Sequence, residues 1–141
     1  MRISIDNNAK KNYFSITRKI NILKTIFVVD DSDTNLATAE EALEDYFNVM
    51  TIPSAAKMFA LLEKITPDLI LLDVEMPEMN GFEALTRLKT GGNSHANIPV
   101  IFLTGTINDS IEQKCSEFGA VGIISKPFSQ SILIDRINSQ I

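Results

Sequence analysis

The stretch that decides the fold is residues 26–31, Ile-Phe-Val-Val-Asp-Asp, in which four apolar residues end in two carboxylates. Short apolar runs of this kind are typical of buried strands in a parallel sheet. Three more runs cover 69–72, 100–103 and 121–124, and a weaker one covers 49–52. Residues with helical spacing separate them. The alternation predicts βαβ units and a parallel sheet.

Five helices are predicted after the strands from apolar spacing and from residues that begin or end helices. The first follows Asp33, and Ser54 and Ser129 can cap the second and the fifth. Pro67, the pair at 91–92 and Gly119 end the second, third and fourth. The apolar positions are Leu36, Ala39, Leu43, Phe47, Met58, Leu61, Leu62, Ile65, Phe82, Leu85, Leu88, Ile111, Cys115, Phe118, Ile132, Leu133, Ile137 and Ile141. Right-handed crossovers then predict an α/β fold, a doubly wound (βα)5 unit over residues 23–141.

Length and composition favour one soluble domain, since 141 residues with 45% hydrophobic and 22% charged residues are typical of a single globular core. No apolar run approaches the length of a membrane span. The lone Cys115 excludes an internal disulfide and a zinc module, and His95 is the only histidine, which disfavours histidine-based metal or triad chemistry. We expect a cytoplasmic protein without a membrane span.

Charge is distributed unevenly. Residues 1–24 hold six basic residues and one acidic residue, a balance of +5, whereas the rest of the chain holds seven basic and 17 acidic residues, a balance of −10. An acidic body disfavours direct binding of nucleic acid and favours cations or basic partner surfaces. We expect residues 1–22 to be a basic N-terminal extension or linker.

Polar residues follow four of the predicted strands, and parallel strands bring such residues to one edge of a sheet. The residues are Asp30, Asp31, Asp73, Thr104 and Lys126. Neighbouring carboxylates repel one another unless a cation intervenes, and a site with only oxygen ligands favours Mg²⁺ or Mn²⁺. An aspartate can carry a phosphoryl group, and a cation and a hydroxyl can stabilise its transfer.

Taken singly, each of these residue types is also common in purely structural roles. An aspartate after a strand is often a helix N-cap, which is the alternative role of Asp31 or Asp33. Lysines such as Lys126 are commonly solvated at the surface. The conjunction of residue types at four strand ends favours a phosphoryl-transfer site.

Four segments resemble the receiver domain of two-component response regulators: 27–32 (FVVDDS), 71–83 (LLDVEMPEMNGFE), 103–105 (LTG) and 125–128 (SKPF). The resemblance covers about residues 24–141. It implies a flavodoxin-like sheet with strand order 2-1-3-4-5 and a cis peptide bond between Lys126 and Pro127.

The resemblance also implies the chemistry. Asp73 would accept a phosphoryl group from the phosphohistidine of a histidine kinase or a histidine phosphotransfer protein. Asp31, Asp73 and the backbone carbonyl of Glu75 would bind Mg²⁺ directly, and Asp30 would hold it through water. Lys126 would pair with the phosphoryl oxygens. No organic cofactor is expected.

The switch residues follow from the same resemblance. Thr104 would bind the phosphoryl group and move inward, while Glu75 and Thr106 would tune dephosphorylation. Ile123 stands where the family usually has an aromatic residue, which predicts a different readout of activation. Gly81, in the loop after Asp73, would be free to adopt a positive φ.

The predicted output is a signal rather than a turnover reaction. The chain would catalyse only its own phosphorylation and dephosphorylation, and a downstream protein would dock on the face formed by residues 109–141. One alternative is a degenerate receiver that acts as a phosphorylation-independent interaction module. A second is a phosphatase of the haloacid dehalogenase type, with Asp31 as the nucleophile. An FMN carrier is disfavoured, because its phosphate would meet the carboxylates after the first strand.

Overall fold

The computed structural model describes residues 23–141, so the predicted extension at 1–22 lies outside the described residues. Five parallel strands form one sheet in the order β2-β1-β3-β4-β5. The strands are β1 (Thr25–Val29), β2 (Asn48–Ile52), β3 (Leu69–Asp73), β4 (Val100–Thr104) and β5 (Gly122–Ser125). The predicted flavodoxin-like fold and strand order are confirmed.

Five α-helices and one short 3-10 helix connect and follow the strands. They are α1 (Asp33–Leu43), α2 (Ala55–Leu62), α3 (Gly81–Thr90), the 3-10 helix (Ser94–Asn97), α4 (Asp109–Glu117) and α5 (Gln130–Asn138). The predicted caps of α2 and α5 are confirmed, because the hydroxyls of Ser54 and Ser129 accept backbone N–H bonds there. The 3-10 helix was not predicted.

Helix α1 differs from its prediction at both ends. Ser32 caps it by accepting a hydrogen bond from the backbone N–H of Asn35 at 3.3 Å, so the alternative of Asp31 or Asp33 as the cap is wrong. The helix ends at Leu43, and Phe47 follows a turn and lies buried just before β2. Phe47 therefore shares the predicted core without belonging to the helix.

The sheet carries a hydrophobic core on each face. Every residue of β3 and β4 is buried, as expected for central strands covered on both sides. Phe27 and Phe102 belong to the cluster that includes α2 and α3, whereas Leu71 and Leu103 belong to the cluster that includes α1 and α5. Ile132 was expected in the apolar face of α5, but it is 47% exposed.

Strand register brings the predicted site residues to one edge. Asp73 at the end of β3 pairs with Leu103, and Thr104 at the end of β4 pairs with Ser125. Asp30 directly follows β1, and its backbone N–H donates to the carbonyl of Ile52 at 3.1 Å. None of the helices in residues 23–141 is long and apolar enough to span a membrane.

Candidate phosphoacceptor and metal site

Three carboxylates converge at the carboxyl edge of the sheet. Asp30, Asp31 and Asp73 each offer an oxygen atom, and these atoms lie within 4.8 Å of one another. Asp30 and Asp73 are buried, at 0% and 2% exposed, while Asp31 is exposed. The all-oxygen donor set suits a hard divalent cation such as Mg²⁺.

Lys126 bridges the two buried carboxylates. Its Nζ lies 2.8 Å from Asp30 Oδ2 and 2.9 Å from Asp73 Oδ1. Its backbone N–H donates to the carbonyl of Thr104 at 2.8 Å, and the predicted cis bond to Pro127 is confirmed. One ammonium group faces three carboxylates, so the cluster keeps a negative balance that attracts cations.

Burial and charge shift the pKa values of this pair. Loss of water raises the pKa of Asp73 to about 6; the hydrogen bond from Lys126 opposes the rise, and the charge of Asp30 adds to it. Burial acts to lower the pKa of Lys126, but hydrogen bonds and attraction from Asp30 and Asp73 outweigh it, so that pKa is raised. Lys126 is therefore a permanent cation at neutral pH.

The carboxylate of Asp30 is held on both oxygens. The backbone N–H of Ser32 donates to Oδ1 at 2.9 Å, and the side-chain amide of Asn35 donates to Oδ2 at 3.2 Å. Sequence reasoning missed Asn35. The signal that could have found it was its place on the first turn of α1, which directly follows the two aspartates.

Thr104 is buried and its hydroxyl is engaged within its own loop. Oγ1 donates to the carbonyl of Thr106 at 3.1 Å and accepts from the backbone N–H of Thr106 at 3.2 Å. A hydrogen bond to a phosphoryl group on Asp73 would require this hydroxyl to leave Thr106. The two threonines predicted separately are thus coupled.

Gly81 matters for close approach rather than for backbone conformation. Its φ is not positive, so the conformational freedom of a glycine is not used here; among described glycines, Gly92 and Gly119 have positive φ. A Cβ on Gly81 would overlap the carbonyl oxygen of Asp73 and lie 2.9 Å from Cα of Val74. Gly81 therefore allows α3 to begin directly against β3, the strand that ends at Asp73.

Glu75 and Ile123, which were predicted to tune dephosphorylation and readout, are exposed and half-buried, respectively. The Glu75 side chain is exposed, and its backbone N–H donates to Asp73 Oδ1 at 3.2 Å. Ile123 is half-buried against the core cluster that includes Phe82 and Cys115. A groove of about 570 Å³, lined in part by Asp31 and Glu75, opens beside the carboxylates. The carbonyl of Glu75 as a metal ligand stays a prediction.

Comparison with known proteins assigns the family. The family model of the response regulator receiver domain matches residues 26–138, which is most of the chain. The chain therefore belongs to the response regulator receiver domain family. Receiver domains bind Mg²⁺ in their acidic pocket and are generally signalling switches rather than enzymes.

Individual relatives agree with this family. A probable cyclic di-GMP phosphodiesterase of Vibrio cholerae is 38% identical over 117 residues, which cover 83% of this chain and 26% of that protein. The response regulator GraR of Staphylococcus aureus is 28% identical over 81% of this chain and 50% of its own length. The structure of the chemotaxis protein CheY4 of Vibrio cholerae is 26% identical, with a TM-score of 0.79 over 84% of this chain and 99% of that one. The chain thus spans half or less of both curated relatives.

Proposed function

We propose that this domain is a phosphorylation-dependent switch in which Asp73 receives a phosphoryl group from the phosphohistidine of a histidine kinase or phosphotransfer protein. The observation that carries the proposal is the ion-paired carboxylate of Asp73, buried beside two further aspartates and one lysine. A structural ion pair alone does not require three carboxylates around one ammonium group.

The contacts of Asp73 favour one of its oxygens as the nucleophile. Oδ1 accepts from Lys126 and from the backbone N–H of Glu75. Within residues 23–141, no backbone N–H donates to Oδ2, and the 2.9 Å contact of Lys126 is with Oδ1. We infer that Oδ2 forms the new bond to phosphorus while the bond from phosphorus to the donor's imidazole nitrogen breaks. The products are an acyl phosphate on Asp73 and a free histidine.

Asp31 and Asp73, with the backbone carbonyl of Glu75, are the proposed direct ligands of Mg²⁺ or Mn²⁺, and Asp30 would hold the cation through water. Such a cation supplies charge neutralisation for the phosphoryl oxygens when bound. Lys126 already contacts Asp73, so its ammonium group would pair with a phosphoryl oxygen once the phosphoryl group is on Asp73. Thr104 would exchange its bond to Thr106 for one to the phosphoryl group.

We further propose that the phosphorylated form acts on a downstream protein, through the face formed by residues 109–141. The support is apolar surface along that face, since Ile132 is 47% exposed and Val121 is 42% exposed. Thr104 connects to this face through the backbone bond from Lys126, which follows β5. Ile123, which replaces the usual aromatic residue, would make the readout depend on backbone movement of β5. The acidic body does not favour direct nucleic-acid binding, and a cytoplasmic setting suits the proposed role.

Intact-protein mass after incubation with acetyl phosphate tests the proposal. A phosphoryl increment is expected with Mg²⁺ and is expected to vanish with a chelator or with Asp73→Asn. Asp109→Asn, an exposed carboxylate at the start of α4, serves as the control for loss of a charge elsewhere.

Other outcomes would decide against the proposal. Absence of the increment, under conditions that label another receiver domain, would support a phosphorylation-independent interaction module. Labelling that survives Asp73→Asn and disappears with Asp31→Asn would support the phosphatase alternative.

A further inference from the structure

A lysine other than Lys126 lines the groove beside the carboxylates. Lys114, on α4, shares this groove with Asp31 and Glu75. Its Nζ lies 4.3 Å from the ring centroid of Phe82 and 5.9 Å from that of Phe118. Phe82 directly follows Gly81, the residue packed against Asp73. Lys114 therefore lines the groove through which we expect a phosphodonor to approach Asp73.

Within residues 23–141, the charge of Lys114 is not used in an ion pair. Among the residues that the structure describes, no carboxylate oxygen lies within 4.0 Å of its Nζ. Other cations near α3 are engaged, since Lys89 donates to the carbonyl of Ala96 and Arg87 stacks on Phe59. Contact with an aromatic face holds an exposed ammonium group only weakly. The side chain is thus free to exchange Phe82 for an anion.

The electrostatics of the groove give this cation a role. Asp30, Asp31 and Asp73 outnumber Lys126, and Glu75 adds another carboxylate at the rim. A phosphodonor is itself an anion, so this field repels it. A positive charge on the groove wall lowers the repulsion of the phosphodonor. The same charge repels a divalent cation and so weakens its binding.

We propose that Lys114 is a second positioning cation of the phosphoacceptor pocket, which attracts the phosphodonor and weakens Mg²⁺ binding. This inference rests on the proposed function. It gives α4 an electrostatic interaction, through the charge of Lys114, with the charge that phosphorylation would add at Asp73.

The test compares Lys114→Gln with wild type in two measurements that should change in opposite directions. Labelling by acetyl phosphate at a fixed subsaturating Mg²⁺ occupancy is expected to slow by about two- to fivefold, the effect of one unit charge acting across a solvent-exposed groove. Mg²⁺ affinity, measured by titration of amide NMR signals without phosphodonor, is expected to tighten by a similar factor. Lys114→Arg should restore both values.

High salt and a matched control variant distinguish an electrostatic effect of Lys114 from an effect of its packing. At about 1 M salt the screening length falls to about 3 Å, so both differences should largely disappear. Lys64→Gln removes an exposed lysine just beyond α2, outside this groove, and should leave both measurements unchanged.

The outcomes distinguish this inference from the proposed function. If wild type is labelled and Lys114→Gln matches it in both measurements, the role of Lys114 is refuted. Slower labelling together with weaker Mg²⁺ binding would also refute it, because packing damage lowers both. If wild type is not labelled, the proposed function fails, and unchanged Mg²⁺ affinity in Lys114→Gln would then refute the electrostatic role as well.

Discussion

Replacing Asp73 by asparagine should stabilise the metal-free domain at neutral pH while removing the proposed phosphoacceptor. Burial raises the pKa of Asp73 from its ordinary 3.8 to about 6, because the hydrogen bond from Lys126 only partly offsets lost hydration. That rise corresponds to a destabilisation of about 3 kcal/mol for the ionised group. This net figure already includes the ion pair with Lys126; asparagine avoids the charge but still buries a polar amide, which retains part of the cost. The expected net gain in unfolding free energy is about 1–2 kcal/mol.

The sign of the pH dependence follows from the direction of the shift. The folded state holds the Asp73 proton more tightly than the unfolded state, so this group makes the protein less stable as pH rises from about 4 to about 6. The advantage of Asp73→Asn should therefore be complete above about pH 7. Below about pH 4 the carboxyl group is protonated in both states, and the advantage should vanish.

Urea unfolding followed by circular dichroism, with a chelator present, measures this difference. Asp135→Asn, an exposed position on α5, is the control for a charge change outside the site. Saturating Mg²⁺ should stabilise wild type more than Asp73→Asn, because the variant loses one proposed ligand. The reasoning is refuted if Asp73→Asn is no more stable than wild type at about pH 7.5 without metal.

Three further substitutions test the packing and charge around the site. Gly81→Ala should lower the unfolding free energy by about 2–3 kcal/mol, because the new Cβ overlaps the backbone of Asp73 and Val74. Gly105→Ala, with no heavy atom within 4 Å of the added Cβ, should change it little, and urea unfolding compares the two. Lys126→Met should cost about 2–3 kcal/mol at neutral pH by leaving two buried carboxylates unpaired, and added Mg²⁺ should recover part of the loss in the same assay. Ser32→Ala should cost about 1 kcal/mol through the lost cap of α1, and thermal unfolding that shows no loss would contradict the capping role.

The fold was predictable because its signals are local. Apolar runs of four residues produced β3 and β4, whose residues are all buried, and serine caps marked the starts of α2 and α5. Phe47 shows the limit of such signals. It continues the helical spacing of α1, yet the chain turns after Leu43, and Phe47 reaches the same core from outside the helix. Spacing predicts burial better than it predicts where a helix ends.

The sequence predicted which residues meet at the candidate site but not how their side chains are oriented. Strand ends placed Asp30, Asp73 and Lys126 together, and the register confirms that they share one edge. The direction of the Thr104 hydroxyl depends on the loop conformation, which no residue type specifies. Lys114 was missed for a related reason, because its position over Phe82 depends on how two helices pack. Contacts between elements are set by tertiary structure rather than by local pattern.

The hydrogen bonds of the aspartates bear on how they would share a cation. Both oxygens of Asp30 are occupied, by Ser32 on one side and by Asn35 and Lys126 on the other. Oδ2 already accepts from two donors, whereas Oδ1 accepts from one and keeps a lone pair that a metal-bound water molecule could donate to. Asp31 is exposed and is free of that constraint. We therefore expect Asp30 to orient Lys126 through Oδ2 and a water molecule through Oδ1, in keeping with Asp31 and Asp73 as the proposed direct ligands.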